Sequence, residues 1–151
     1  GQLGMKVLVE PGRLIVGNAG ILVTSVIYVK GGEHKNFVIV DAAMNDLIRP
    51  SLYHSHHQIV PATLGDGAAE RADVVGPVCE SGDFFALDRQ LPRVDRGDLL
   101  AIMGAGAYGF VLASNYNARL RPAEVLVDNG AHRCIRRREV LEDLSHGSEL
   151  R

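Results

Sequence analysis

The sequence predicts a mainly β protein, an antiparallel barrel or sandwich of short strands. Two observations carry this prediction. Short runs rich in β-branched and other apolar residues recur along most of the chain. Turn-forming glycine, proline and asparagine residues separate these runs. Such close spacing of short strands is typical of all-β barrels and sandwiches.

The strands can be assigned in order along the chain. Residues 7–9 form a short apolar run stopped by a Pro-Gly turn, as expected of a buried strand. Residues 21–30 are rich in β-branched side chains and end at a Gly-Gly turn, and residues 36–40 are the predicted hairpin partner. The remaining predicted strands are residues 58–62, 72–75, 99–103, 110–113 and 124–129.

Two short helices and one loop complete the predicted elements. One helix begins near Pro50, because proline suits the first helical position. The second helix covers residues 137–144. Residues 64–71, which contain Gly, Asp and Ala, are predicted to form an exposed loop.

Composition limits the classes of function. At 151 residues the chain can bury a core, and its 46% hydrophobic content is typical of a soluble globular protein. A formal net charge of −2 gives no reason to expect nucleic acid or a membrane surface as partner. No apolar run approaches the roughly 18 to 20 residues that span a bilayer. Two cysteines, Cys79 and Cys134, and a start unlike a signal peptide fit a reducing cytoplasm.

Several side chains could bind a carboxylate. Arg13 follows a Pro-Gly turn that holds its guanidinium near a predicted strand end. Arg49 and Tyr53 are four residues apart and can meet on one face if the segment is helical. A guanidinium grips a carboxylate through two parallel hydrogen bonds, and a phenol can add a third. The alternative for these arginines is a surface salt bridge.

Other polar residues allow two interpretations each. Glu10, at the end of a predicted buried strand, needs a partner, which could be a structural salt bridge. Cys79 and Glu80 precede a Ser-Gly turn that could project both outward, although a lone cysteine is often a small buried hydrophobe. Asp83 is interpreted as a turn residue. Tyr108 lies in a glycine-rich run that could cradle a phosphate or form a tight turn.

Three histidines lie close together after the first predicted helix. The spacing of His54, His56 and His57 matches no specific metal site, and no acidic or cysteine ligand lies in the same segment. An exposed loop cluster is the prediction, and no metal site is expected.

Six short motifs occur in a fixed order. They are Glu-Pro-Gly-Arg at 10–13, Ile-Arg-Pro-Ser-Leu-Tyr at 48–53, Val-Cys-Glu-Ser-Gly-Asp at 78–83, Gly-Ala-Gly-Ala-Tyr-Gly at 104–109, Ser-Asn-Tyr-Asn at 114–117 and Arg-Pro-Ala-Glu-Val at 121–125. Together they resemble the C-terminal part of the diaminopimelate decarboxylase family, fold-type III enzymes that use pyridoxal 5′-phosphate (PLP). The resemblance runs from about residue 7 to about residue 144. Glu-Pro-Gly-Arg is shared by related decarboxylases of basic amino acids, whereas the second and third motifs narrow the resemblance to the diaminopimelate branch.

The resemblance implies an architecture and a set of roles. Residues 1–13 would be a remnant of a PLP-binding (β/α)8 barrel, including its last strand, and residues 14–151 a Greek-key-like C-terminal β-barrel domain. Glu10 would pair with the pyridine nitrogen of PLP and keep it protonated, so that the ring accepts electrons as the substrate loses CO2. Arg13, Arg49 and Tyr53 would bind the carboxylate at the non-reacting end of the substrate. Arg13 and Tyr108 would also lie at the cofactor, with Tyr108 close to the substrate.

The resemblance further implies a homodimer with shared active sites. Cys79 and Glu80 would enter the site of the partner subunit. Glu80 would neutralise the distal ammonium of diaminopimelate, and Cys79 would donate the proton that replaces CO2.

One departure from the family concerns lysine. Enzymes of this type hold PLP as a Schiff base with a lysine on an early barrel strand. Lys6, Lys30 and Lys35 are the only lysines here, and none lies in that motif. The isolated chain is therefore expected to be inactive.

Two hypotheses follow. The chain is the C-terminal part of an enzyme that converts meso-diaminopimelate to L-lysine and CO2 in lysine biosynthesis, or it is a free-standing β-barrel that serves as an interaction or dimerisation module. A barrel with the Schiff-base lysine encoded immediately upstream would decide for the enzyme.

Overall fold

A six-stranded sheet dominates the computed structural model, which describes residues 4–33, 35–63 and 67–147. Its strands are β1 (Leu22–Lys30), β2 (Asn36–Val40), β3 (Ile59–Pro61), β4 (Ala69–Val75), β5 (Phe84–Pro92) and β6 (Leu99–Ile102), in the spatial order β3-β6-β1-β2-β4-β5. The two outer strands, β3 and β5, also contact each other. Arg89 Nη1 on β5 donates a hydrogen bond to the carbonyl oxygen of His57, just before β3 (2.9 Å). The sheet therefore curls into a nearly closed barrel, which confirms the predicted mainly β fold.

A two-stranded sheet and short helices surround this barrel. Strands β7 (Glu124–Asp128) and β8 (Ala131–Arg136) pair antiparallel. Asn129 and Gly130 join them with positive φ angles of 48° and 78°, as a two-residue hairpin turn requires. The helices are α1 (Arg49–Tyr53) and α2 (Leu141–Leu144), with 3-10 turns at Gly17–Ala19, Phe110–Leu112 and Tyr116–Ala118. None of the helices formed by the described residues is long and apolar enough to cross a membrane.

The core lies inside the barrel and follows the two-residue period of the strands. On β2, Val38 and Val40 are buried, whereas Ile39 between them is partly exposed. Other strands contribute further buried side chains, among them Val26, Val74, Phe85, Leu91, Leu100 and Ile102. Burial of each such side chain stabilises the fold by roughly 1.5–3 kcal/mol. This core fixes the strands from which the loops of the candidate site extend.

One strand pair departs from the predicted antiparallel arrangement. Strands β2 and β4 run parallel, with Val38 opposite Val74, whereas the other neighbouring pairs among the described strands are antiparallel. A parallel pair needs a crossover of a dozen or more residues. Residues 41–68, which include α1 and β3, provide that length. The antiparallel prediction is therefore wrong for this pair.

Four element predictions are also corrected. Residues 7–9 form no strand and are exposed, because no described strand lies beside them to share hydrogen bonds. Residues 110–112 form a 3-10 turn, since Leu112 N bonds locally to the Gly109 carbonyl (3.1 Å). Residues 69–71 belong to strand β4 and not to the predicted loop at residues 64–71. Residues 64–66 of that predicted loop lie outside the described residues. The last helix, α2, begins only at Leu141.

Two loops of the site pack backbone against backbone. Ala105 N donates to the Gly20 carbonyl (2.8 Å) and Gly106 N to the Gly17 carbonyl (3.1 Å). A Cβ on Gly106 would lie 2.7 Å from Gly20 N and closer still to the Val16 carbonyl oxygen. These neighbours are backbone atoms and cannot rotate away. The glycine-rich run is thus a tightly packed turn.

We expect Gly106→Ala to lower the free energy of unfolding by about 2–3 kcal/mol, the cost of overpacking a site that cannot relax. Gly31→Ala is the matched control, because its new Cβ would meet only Asn36 Oδ1 at an ordinary 3.7 Å. That variant should change the unfolding free energy by no more than about 0.5 kcal/mol. Urea denaturation of both variants measures the difference. Equal effects would contradict the close approach of the two loops.

Candidate functional site

Helix α1 brings Arg49 and Tyr53 together. Pro50 follows Arg49 at the start of the helix, and His54 ends it in the left-handed conformation (φ 51°). The guanidinium carbon of Arg49 lies 5.6 Å from the centre of the Tyr53 ring. The predicted meeting of these two side chains on one helical face is therefore confirmed.

Two loops add Tyr108 and Arg13 to this pair. The Tyr108 ring centre also lies 5.6 Å from the guanidinium carbon of Arg49. A Cβ on Gly12 would lie 3.6 Å from Tyr108 Oη, so the segment before Arg13 passes beside this tyrosine. Arg13 Nη2 donates to the carbonyl oxygen of Gly104 (3.2 Å), four residues before Tyr108. We call Arg13, Arg49, Tyr53 and Tyr108 the arginine–tyrosine group.

The arginines of this group have no carboxylate partner in the part of the chain that the structure describes. Within residues 4–33, 35–63 and 67–147, neither Arg13 nor Arg49 forms an ion pair, and Arg49 Nε is buried without a hydrogen-bond partner. Arg121 shows the contrasting structural arrangement. Its side chain and backbone N–H bind Glu139, which lowers the pKa of that carboxyl to about 2. The positive charges of Arg13 and Arg49 are therefore not neutralised by a carboxylate of the described residues, unlike that of Arg121.

Glu10 is not brought into contact with this group. Its backbone belongs to no strand and its side chain is exposed, so the predicted position at the end of a buried strand is wrong. Its carboxylate forms no ion pair or hydrogen bond with the rest of the described chain. Gly12, two residues further on, nevertheless lies beside Tyr108.

The sequence prediction missed His57. It is only 2% exposed, so the exposed-loop prediction is wrong for this histidine and holds for His54 and His56. Its Nδ1 lies 2.8 Å from the carbonyl oxygen of Met103, and its Nε2 is buried with no partner among the described residues. A signal was available, because buried Ile59 on β3 lies two residues further on and strand parity points both side chains the same way. No cluster of three or more potential metal ligands occurs in the described part of the chain.

Cys79 and Glu80 lie on a largely exposed turn over residues 77–82, and neither forms a hydrogen bond with the arginine–tyrosine group among the described residues. Buried Asp83 holds this turn, as its interpretation as a turn residue predicts. Its Oδ1 accepts from Met44 N and its Oδ2 from Val78 N, each at 2.7 Å. Both cysteines of the chain are free and exposed.

The turn is nevertheless attached to helix α1. A Cβ on Gly82 would lie 2.7 Å from Ser51 Oγ, in the middle of the helix that carries Arg49 and Tyr53. Glu80 Oε2 accepts a hydrogen bond from Tyr116 Oη (3.2 Å), a contact that no sequence pattern predicted. Tyr116 lies in the motif to which no chemistry was assigned.

The comparisons with known proteins agree with this arrangement of motifs. The family model described as "Pyridoxal-dependent decarboxylase, C-terminal sheet domain" matches residues 14–106, more than half of the chain. The chain belongs to this family.

Within this decarboxylase family, several similar proteins are named diaminopimelate decarboxylase. The protein from Aquifex aeolicus is 55% identical over 134 residues, which cover 89% of this chain and 32% of the relative. The protein from Neisseria meningitidis serogroup B is 57% identical over 142 residues, covering 94% and 34%. A crystal structure of diaminopimelate decarboxylase from Helicobacter pylori complexed with L-lysine superposes with a TM-score of 0.85 at 48% identity, covering 96% and 36%. The chain spans about a third of the length of these relatives.

Proposed function

We propose that this chain forms the C-terminal part of a PLP-dependent diaminopimelate decarboxylase, which converts meso-diaminopimelate to L-lysine and CO2 in lysine biosynthesis. The observation that carries the proposal is the arginine–tyrosine group, in which two guanidinium groups lack a carboxylate partner among the described residues. The 55% identity to a protein named for this activity supports it. A free-standing interaction module would have no use for such an arrangement, so the enzyme is favoured.

The residues present fit PLP as cofactor. PLP carries an anionic phosphate and a ring nitrogen that binds a proton, and when bound it supplies an electron-accepting ring for loss of CO2. Arg13 and Tyr108 offer donors to an anion, and Glu10 offers a carboxylate with no competing partner in the described residues. In this proposal residues 1–13 belong to the PLP-binding barrel and residues 14–151 to the C-terminal domain. Its support is that the family match starts at residue 14.

The arginine–tyrosine group binds the distal carboxylate of the substrate. Arg13 and Arg49 donate charge-assisted hydrogen bonds, and Tyr53 adds its phenol. L-lysine lacks this carboxylate. A lysine molecule in the site would leave the partly buried Arg49 without its anion, which costs free energy. This difference accounts for selection of diaminopimelate over simple diamino acids.

Cys79 and Glu80 serve the site of a second subunit in a homodimer. Glu80 neutralises the distal ammonium, and Cys79 delivers a proton to the carbon that loses CO2. The support is that both side chains are exposed on a turn held by Asp83 and form no hydrogen bond with the arginine–tyrosine group of their own chain among the described residues. We place the enzyme in the cytoplasm, because two free, exposed cysteines suit a reducing compartment.

The proposal is tested with a complete protein in which a PLP-binding barrel precedes this sequence. With PLP present, we expect CO2 and L-lysine to form from meso-diaminopimelate. L-lysine and L-ornithine, which lack the distal carboxylate, are the control substrates and should react at least about 100-fold less efficiently, since a site built to bind a polar group strongly rejects an analogue lacking it. Equal rates on all three substrates would contradict the carboxylate-binding role, and no PLP-dependent decarboxylation would refute the function.

A further inference from the structure

Two buried polar atoms, Arg49 Nε in the arginine–tyrosine group and Nε2 of the nearby His57, are complementary. His57 lies beside Arg13 of this group, because a Cβ on Gly104 would lie 3.0 Å from Arg13 Nη2 and 3.9 Å from His57 Nδ1. Arg49 Nε is an obligatory hydrogen-bond donor, and His57 Nε2 is a ring nitrogen that either donates or accepts. Neither has a partner among the described residues. A buried polar atom left without a partner costs about 1–3 kcal/mol, so each such atom in a native fold calls for an explanation.

The surroundings of His57 fix its tautomer. Nδ1 lies 2.8 Å from the carbonyl oxygen of Met103, which can only accept. Nδ1 therefore carries the ring proton, and Nε2 of the neutral imidazole presents a lone pair. The chain holds the histidine further through Arg89 Nη1, which donates to the His57 carbonyl.

Burial, together with the charges that face this ring, keeps it neutral. These charges are Arg49 from α1, Arg13 from the segment before β1, and the neighbouring His56, and Arg89 of β5 contacts its backbone. Burial, followed by the positive charges of Arg49 and Arg13, lowers the pKa of His57. At neutral pH the ring therefore accepts at Nε2 rather than donating.

We propose that His57 is a positioning residue whose Nε2 accepts a hydrogen bond from Arg49 Nε while the Arg49 guanidinium holds the substrate carboxylate. One bond then satisfies both unpartnered atoms. This hydrogen bond also determines which edge of the guanidinium binds the substrate carboxylate. With Nε bound to His57, the carboxylate is gripped by Nη1 and Nη2, the end of the side chain that points away from α1. The inference rests on the proposed function, because it assigns a support to the residue that binds the substrate.

Two substitutions of His57 test the roles of its two ring nitrogens separately. In His57→Asn the side-chain amide can still donate to the Met103 carbonyl, but no acceptor remains at the position of Nε2. In His57→Gln the longer side chain places an oxygen near the position of Nε2. In the complete enzyme we expect His57→Asn to raise KM for meso-diaminopimelate about tenfold with little change in kcat, the loss expected of a hydrogen bond to a charged group. His57→Gln should keep KM within about twofold.

A double-mutant cycle distinguishes positioning from a general structural role. Arg49→Lys removes Nε, so adding His57→Asn to that variant should produce little further rise in KM. The inference would be overturned if the rises in KM from Arg49→Lys and His57→Asn were additive, or if His57→Asn and His57→Gln raised KM equally. Either result would leave the proposed function intact. Absence of activity in the unmodified complete enzyme would instead refute the proposed function.

A spectroscopic measurement on complete protein prepared without PLP tests the inference without turnover. In 15N NMR of this protein, His57 should appear as the neutral tautomer with the proton on Nδ1. Addition of meso-diaminopimelate should shift the Nε2 resonance in the direction of an accepted hydrogen bond. A proton on Nε2 in the bound state would overturn the inference, whatever the stability of the variants.

Discussion

Replacing Arg49 with alanine is expected to lower kcat/KM of the complete enzyme for meso-diaminopimelate by about 10- to 150-fold, which corresponds to about 1.5–3 kcal/mol for a hydrogen bond to a charged group. We expect this effect because the guanidinium carbon of Arg49 lies 5.6 Å from the ring centres of both Tyr53 and Tyr108 and has no ion-pair partner in the described residues. Steady-state kinetics measures the effect. PLP binding, followed by the absorbance of the bound cofactor, should persist.

Arg71→Ala is the matched control for Arg49→Ala. Arg71 is an exposed arginine on β4, where it pairs with exposed Asp88 at 3.4 Å. Exposed pairs of this kind contribute about 0–1 kcal/mol to stability, and this one lies outside the arginine–tyrosine group. The control should leave kcat/KM unchanged. An unchanged kcat/KM for the Arg49 variant as well would remove Arg49 from the substrate site.

The fold was predictable where local sequence determined it. Strand β2 was predicted and is observed at residues 36–40. Its run of β-branched side chains follows a Gly-Gly turn and ends at Asp41, so the local sequence marks both ends of the strand. Strand β5 was missed, since the polar run at residues 88–90 interrupts its apolar pattern and only pairing with β4 makes it a strand. The parallel pairing of β2 and β4 could not be predicted from local sequence either, because it depends on the path of the crossover formed by residues 41–68.

The candidate site also has a part that local sequence predicts and a part that only the folded chain reveals. Arg49 and Tyr53 are four residues apart on one short helix, so their contact follows from helical geometry alone. Arg13 and Gly104 are separated by 91 residues, and only the packing of the two glycine loops brings them together. Placing His57 required both local sequence and tertiary structure. The alternation of side chains along a strand indicates its burial, but only the folded chain reveals the Met103 carbonyl beside it. Distant partners of this kind are determined by tertiary packing rather than by local pattern.

The proposed in-trans role of Glu80 predicts a result that active sites formed by one chain alone would not produce. Glu80 and Cys79 lie on a turn that packs on α1 through Gly82 and Ser51, yet neither forms a hydrogen bond with the arginine–tyrosine group of its own chain among the described residues. In the experiment, full-length Glu80→Ala protein is mixed with a second full-length protein that lacks the PLP-binding lysine. Each homodimer alone has two damaged sites and should be nearly inactive.

On mixing, activity is expected to reappear if Glu80 crosses the two-fold interface. A mixed dimer then has one site with both lesions and one site with neither. Random exchange of equal amounts makes half of the dimers mixed, so about a quarter of the wild-type activity should return. If Glu80 instead serves its own subunit, every site in a mixed dimer keeps one lesion and activity stays low. Native mass spectrometry of differently tagged subunits confirms the exchange, and exchange without recovered activity would exclude the shared site.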